Sequence, residues 1–162
     1  MICVNITWKK KVNLEVEFTK KLDDFKPDLI AVSALSDESE NGFKLSAVAK
    51  KWNKNLPVVW GNKAPTMNPE RILGNENVDY ICIGEGIEFI PEFVNCLASK
   101  NDPKKLYNIA FRNNKGNIVK NKIRPFFQNL DSLPFFDLSV FDYRQFVKPY
   151  DGNAYIGGDH MI

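Results

Sequence analysis

Asp28-Leu-Ile-Ala-Val-Ser-Ala-Leu35, Leu56-Pro-Val-Val-Trp60 and Val78-Asp-Tyr-Ile-Cys-Ile83 are three short apolar runs, and their order decides the fold. Each is rich in β-branched or aromatic residues and nearly free of charge. Strands that are apolar on both faces belong to a parallel sheet covered by helices on each side. Each run ends in a loop at its carboxyl end: residues 33–42, 61–68 and 84–86. Open parallel sheets bind their ligands at that edge, so the three loops together form the candidate site.

Outward from these runs the spacing turns helical. Asn13 is placed to cap a helix whose apolar side is Val16, Phe18, Leu22 and Phe25, and Pro27 ends it. Ser36, Asp37 and Ser39 are alternative caps for a second helix, which is expected to bury Phe43, Ala47, Val48 and Trp52. Lys44, Lys50, Lys51 and Lys54 read as its solvated basic side, suited to a helix carboxyl end. Gly61-Asn-Lys-Ala-Pro-Thr-Met-Asn68 reads as a long loop, and Asn68-Pro69 as a cap and first turn, with Gly74 as the stop. After Gly84-Glu-Gly86, a helix is expected to bury Ile90, Phe93, Val94 and Leu97.

The flanks differ in character. Ile2 to Trp8 alternates as a half-buried strand does, while 107–112 and 117–120 flank Asn113-Asn-Lys-Gly116 as a β-hairpin. Beyond Arg124-Pro125 come Phe126, Phe127, Phe135, Phe136, Phe141, Tyr143 and Phe146 without a clear period. Such a run of aromatics is expected to pack on something. The expected layout is an α/β domain over 1–105, a hairpin over 106–125 and a linker over 126–162.

Composition narrows the function. With 22 basic and 20 acidic residues, the chain has no electrostatic footprint for nucleic acid or an anionic membrane. No apolar run is long enough to span a bilayer, and the basic residues at 9–11 follow the first apolar stretch rather than precede it as in a signal peptide. The expected location is the cytoplasm. Cys3, Cys82 and Cys96 are too far apart for a cluster motif and read as small apolar residues. His160 is the one histidine, so no Ser-His-Asp or Cys-His set can be assembled, nor a metal cluster. Gly84-x-Gly86 lacks the third glycine and the downstream acid of a dinucleotide fingerprint. Glu85 is placed either as a helix-dipole-stabilised carboxylate at the ligand edge or as a turn acid with a capping role. On residues alone, the chain reads as a binding module without chemistry of its own.

The ordered series Pro27-Asp-Leu-Ile-Ala-Val-Ser-Ala-Leu35, Leu56-Pro-Val-Val-Trp-Gly-Asn-Lys-Ala-Pro-Thr66 and Val78-Asp-Tyr-Ile-Cys-Ile-Gly-Glu-Gly86 resembles the cobalamin-binding domain that precedes radical S-adenosylmethionine (SAM) enzymes. Ile109-Ala-Phe-Arg112, Asn114-Lys-Gly-Asn-Ile-Val119 and Leu130-Asp-Ser-Leu-Pro-Phe135 are similar to the hairpin and linker that lead into the radical SAM barrel. The resemblance implies a doubly wound, mostly parallel, flavodoxin-like sheet with a corrinoid across its carboxyl edge. Ser33 and Leu35 match the family's Ser-x-Leu. Gly61, Pro65 and Thr66 match its Gly-Gly-x-His-Pro-Thr loop, and Gly84, Glu85 and Gly86 its Gly-Glu-Gly turn. With Ser36 from the first loop and Asn62 from the second, these residues are the candidate cofactor-binding set. No catalytic or metal-ligating residue is expected.

Departures from the family pattern shape the expectation. Asn62 stands where the second glycine belongs, and Ala64 where histidine often stands. The usual first strand, with its loop and the axial histidine many cobalamin proteins carry there, has no counterpart before Pro27, and no Cys-x3-Cys-x2-Cys motif occurs. The expectation is therefore a shortened domain or fragment that binds cobalamin weakly, with the 4Fe-4S cluster and SAM site elsewhere in the full-length protein. Its partners would be that protein's own barrel and, for the fragment, a second copy of itself. The alternatives are a degenerate domain that holds no corrinoid and serves as an interaction or substrate-positioning module, and a free-standing flavodoxin-like regulatory module.

Overall fold

The computed structural model describes residues 13–35, 39–135 and 137. The strand expected at residues 2–8, Ser36, Asp37, Cys3 and His160 lie outside them. By contacts the chain divides into residues 9–128 and a second unit of residues 1–8 with 129–162. In the second unit the described residues hold one 3-10 turn, Leu130–Ser132.

The first unit is a five-stranded sheet in the order β1-β2-β3-β4-β5, made of β1 (Ile30–Ser33), β2 (Val58–Gly61), β3 (Tyr80–Cys82), β4 (Ile109–Arg112) and β5 (Ile118–Lys120). The three apolar runs are its parallel part: Ile30 pairs with Val58, and Val59 with Tyr80. The hairpin continues the same sheet, with β4 antiparallel to β3 through Ile81 and Ala110. Around the strands lie α1 (Leu14–Phe25), α2 (Ser39–Trp52), α3 (Lys63–Met67), α4 (Pro69–Gly74) and α5 (Phe89–Ala98). Among the described residues no helix is long and apolar enough to cross a membrane.

The central strands are buried on both faces, as their sequence requires. Val58, Val59, Trp60 and Ile81 are all at most 2% exposed. β1 departs from expectation: Ala31 and Ser33 are exposed, so this strand is covered on one face only. Asn13 caps α1 as expected, its Oδ1 accepting the Glu15 and Val16 amides. Phe18 and Leu22 are buried, but Val16 and Phe25 are exposed.

Two helices present faces other than those the spacing suggested. α2 buries Gly42, Leu45, Ser46 and Ala49, leaving Phe43, Ala47, Val48 and Trp52 half-buried on its flanks. The reason is Trp60. Its indole lies against Gly42 and donates to Ser46 Oγ at 3.1 Å, while Phe43 stacks beside it at 4.8 Å. A large ring demands small residues directly above it. α5 buries Phe89 and Phe93, which stack at 5.4 Å, while Ile90 and Val94 face outward. Tyr80 meets Phe93 edge-on and fixes that choice.

Lys50 is not a solvated lysine. Its Nζ lies 2.6 Å from Asp79 and donates to the Leu56 carbonyl at 2.8 Å. Asp79 also accepts the Val58 amide. One carboxylate thus ties the end of α2 to the amino ends of β2 and β3. Ser39 is the first residue of α2 rather than its cap, and its hydroxyl donates to the Leu35 carbonyl.

Candidate functional site

At the carboxyl ends of β1 and β2, Ser33 and Gly61 are register partners. The two chains stay stitched beyond them, with the Ala34 amide donating to Gly61 O and the Ala64 amide to Ala34 O. What was read as an extended loop after β2 is the short helix α3, capped by Asn62, whose Oδ1 accepts the Lys63 amide at 2.8 Å. Pro65 is tolerated because it lies in the first turn, where an amide has no helical acceptor. It is buried with Ala64 and seats α3 on the molecule.

A chain of hydrogen bonds crosses all three loops. Asn62 Nδ2 donates to Ser33 Oγ at 3.0 Å. Thr66 Oγ1 donates to the Asn62 carbonyl at 2.9 Å and accepts the Gly84 amide at 3.1 Å. Ser33, Asn62, Thr66 and Gly84 therefore connect the ends of β1, β2 and β3. Gly84 adopts φ +84°, which favours glycine. Leu35 lies exposed beyond β1, and Gly86 supplies the carbonyl that accepts the Ile90 amide as α5 begins.

Glu85 belongs to a different connection. Its Oε2 accepts the Phe127 amide at 2.7 Å. Asn108, just before β4, anchors the same stretch. Buried and at φ +62°, it donates through Nδ2 to the carbonyls of Ile83 and Glu85 and accepts the Arg124 amide on Oδ1. Arg124 reaches both oxygens of Glu92 at 2.7 and 2.6 Å and lies over the Tyr107 ring. That hydrogen bond to Glu92 holds its pKa above the ordinary arginine value. Asn108, Arg124 and Phe127 were not singled out from the sequence. The available signal for Asn108 was an asparagine directly before a β-branched strand, a residue type that tolerates positive φ. Arg124 had none, since its ion-pair partner Glu92 lies 32 residues away.

Cys82 is buried beneath the site, and burial pushes its thiol up to about 11. It stays protonated at neutral pH, as a structural buried thiol does. Among the described residues no group of three His, Cys, Asp or Glu side chains is placed to hold a metal ion.

A Cβ at Gly61 would meet nothing nearer than Cys82 Cβ at 4.0 Å, so the backbone there is open to approach. The Ser33 hydroxyl and Asn62 amide lie beside it, joined at 3.0 Å. A cavity of about 440 Å³ lies elsewhere, lined by Tyr107, Arg124 and Phe126 among others, and by none of the candidate cofactor residues.

The model of the B12 binding domain family matches residues 5–94. An uncharacterized methyltransferase of Pyrococcus horikoshii, PH0819, is 26% identical over 129 residues, covering 78% of this chain and 28% of that protein. The chain thus spans little more than a quarter of this curated relative. Among solved structures, the radical SAM methyltransferase TsrM from Kitasatospora setae, with tryptophan substrate and a SAM analogue, superimposes with a TM-score of 0.61 at 12% identity, over 68% of this chain and 22% of that one. The cobalamin-dependent radical SAM enzyme OxsB, with aqua-cobalamin and SAM bound, gives 0.59 at 20% identity, over 69% and 16%. At these identities the likeness is one of fold.

Proposed function

The chain belongs to the B12 binding domain family, and on that premise we propose that it holds a cobalamin along the carboxyl edge of its sheet, as the amino-terminal module of a radical SAM methyltransferase. The observation that carries this reading is the meeting of three strand ends at one edge, where Ser33 and Gly61 are register partners and Thr66 Oγ1 accepts the Gly84 amide. Ser33, Leu35, Ser36 and the backbone at Gly61 and Asn62 would meet the cofactor on one side, and Gly84 and Gly86 on the other. Pro65 and Thr66 would hold the middle loop in place. When bound, cobalamin supplies a cobalt centre that carries a methyl group. The 4Fe-4S cluster and SAM would belong to a barrel elsewhere in the full-length protein, which is the proposed partner of this domain. The proposed layout is the α/β domain over 1–105, the hairpin over 106–125 and a linker toward that barrel over 126–162, in a cytoplasmic protein.

Support comes from the family membership and from relatives named as methyltransferases that are several times longer than this chain. A second reading, an interaction module without corrinoid, is favoured by two observations: the Asn62 side chain lies across to Ser33, and the Glu85 carboxylate is taken up by the Phe127 amide. Gel filtration with hydroxocobalamin separates the two. Absorbance of the cofactor co-eluting with the protein is expected for the first. Complete separation of cofactor from protein at high concentrations of both supports the second.

A further inference from the structure

Resting on the reading that a corrinoid lies along this edge, we infer that Asn62 is a built-in stopper, whose side chain occupies the Ser33 hydroxyl and must be displaced when the ligand enters. The backbone at Asn62 has φ +80° and ψ −158°, a region that in practice belongs to glycine. A side-chain-bearing residue persists there only where its surroundings compensate the strain. The compensation is visible: Oδ1 takes the Lys63 amide at 2.8 Å and Nδ2 donates to Ser33 Oγ at 3.0 Å.

The second of these bonds is the one that matters for a ligand. It runs from the residue after β2 to the last residue of β1, so it spans the two strand ends at their exposed side. Capping α3 needs only Oδ1. The Nδ2 bond adds nothing to the cap and takes up a hydroxyl at the ligand edge. Ser33 Oγ keeps its own O–H and one further acceptor position, so it is a donor arriving where Nδ2 sits that gains nothing until that bond is broken. The Asn62 side chain therefore lowers the affinity of the edge, while its backbone remains the contact.

Absorbance titration with hydroxocobalamin tests this, using the chain as it stands and two variants. Asn62→Gly removes the side chain and suits the backbone, so it is expected to bind about tenfold more tightly, the size of one neutral hydrogen bond no longer broken. It should still melt cooperatively, which shows that it is folded. Asn62→Ala loses the bridge but keeps a Cβ in the strained region, so it is expected to bind more tightly while melting lower. If the native chain binds and Asn62→Gly binds equally or less tightly, the stopper is wrong and the cobalamin site stands. If neither the native chain nor Asn62→Gly binds, both fall together.

Discussion

Gly42 shows how much one hydrogen atom decides. A Cβ at this position would lie 2.5 Å from the Trp60 ring, a contact that real structures do not tolerate. Because both the ring and the α2 backbone are buried, Gly42→Ala is expected to cost about 2 kcal/mol by overpacking, read as a lowered melting temperature. Gly84 is required for a different reason, its φ of +84°, and Gly84→Ala should cost roughly 1–2 kcal/mol. Cys82 gives a pH dependence. Burial raises its thiol from 9.0 to about 11, so the folded state holds the proton more tightly than the unfolded chain. The stability this gives is complete below about pH 9 and is lost as pH rises toward 11, with a slope of at most about 1.4 kcal/mol per pH unit. Denaturant melts of the native chain and Cys82→Ala between pH 8 and 11 should show that extra slope in the native chain alone. At this scale the sequence was informative wherever a residue's chemistry is local. Glycines at strand ends and an asparagine before a helix carry their reason with them. The Asn62–Ser33 bond was not legible, since it joins residues 29 apart and depends on strand register.

At the scale of elements, the bonds that fasten the segment after β5 include Phe127 N–H to Glu85, Arg124 N–H to Asn108, and the Arg124 guanidinium to Glu92. Glu85→Ala removes the first acceptor. Hydrogen exchange at the Phe127 amide is then expected to accelerate while the β3 amides stay protected. Unchanged exchange at Phe127 would mean that this bond is not made in solution. The Lys50–Asp79 pair is a comparable tie at the opposite end of the strands. Asp79→Ala leaves the Lys50 ammonium and the Val58 amide without their shared acceptor, and should cost about 2 kcal/mol in chemical denaturation. Helix positions were readable from the caps Asn13 and Asn68, which bond as their chemistry suggests. Helix faces were less so. Counting large apolar residues favoured Phe43 and Val48 on α2, whereas packing against Trp60 favours Gly42 and Ser46. α5 is apolar nearly all round, so periodicity alone does not choose between Phe89 and Ile90. Lys44, Lys51 and Lys54 are exposed as expected, and Lys50 alone departs because a tertiary partner, Asp79, selects it.

For the molecule as a whole, three apolar runs in sequence were enough to place three parallel strands in order, because continuous hydrophobicity on both faces has few other uses in a chain of this length. The sequence also supported a hairpin, but the bonds between β3 and β4 that make it part of the same sheet are visible only in the structure. Alternation of this kind specifies a strand, not its neighbour. The central claim is that the joined ends of β1, β2 and β3 form one cofactor-binding edge. Backbone amide chemical-shift mapping of the isotopically labelled chain against hydroxocobalamin tests it most directly. Saturable shifts clustered at Ser33, Leu35, Gly61, Asn62, Thr66, Gly84 and Gly86 are expected, with β5 unaffected. Shifts confined to the cavity beside Tyr107 and Arg124, or none at any cofactor concentration, would contradict it.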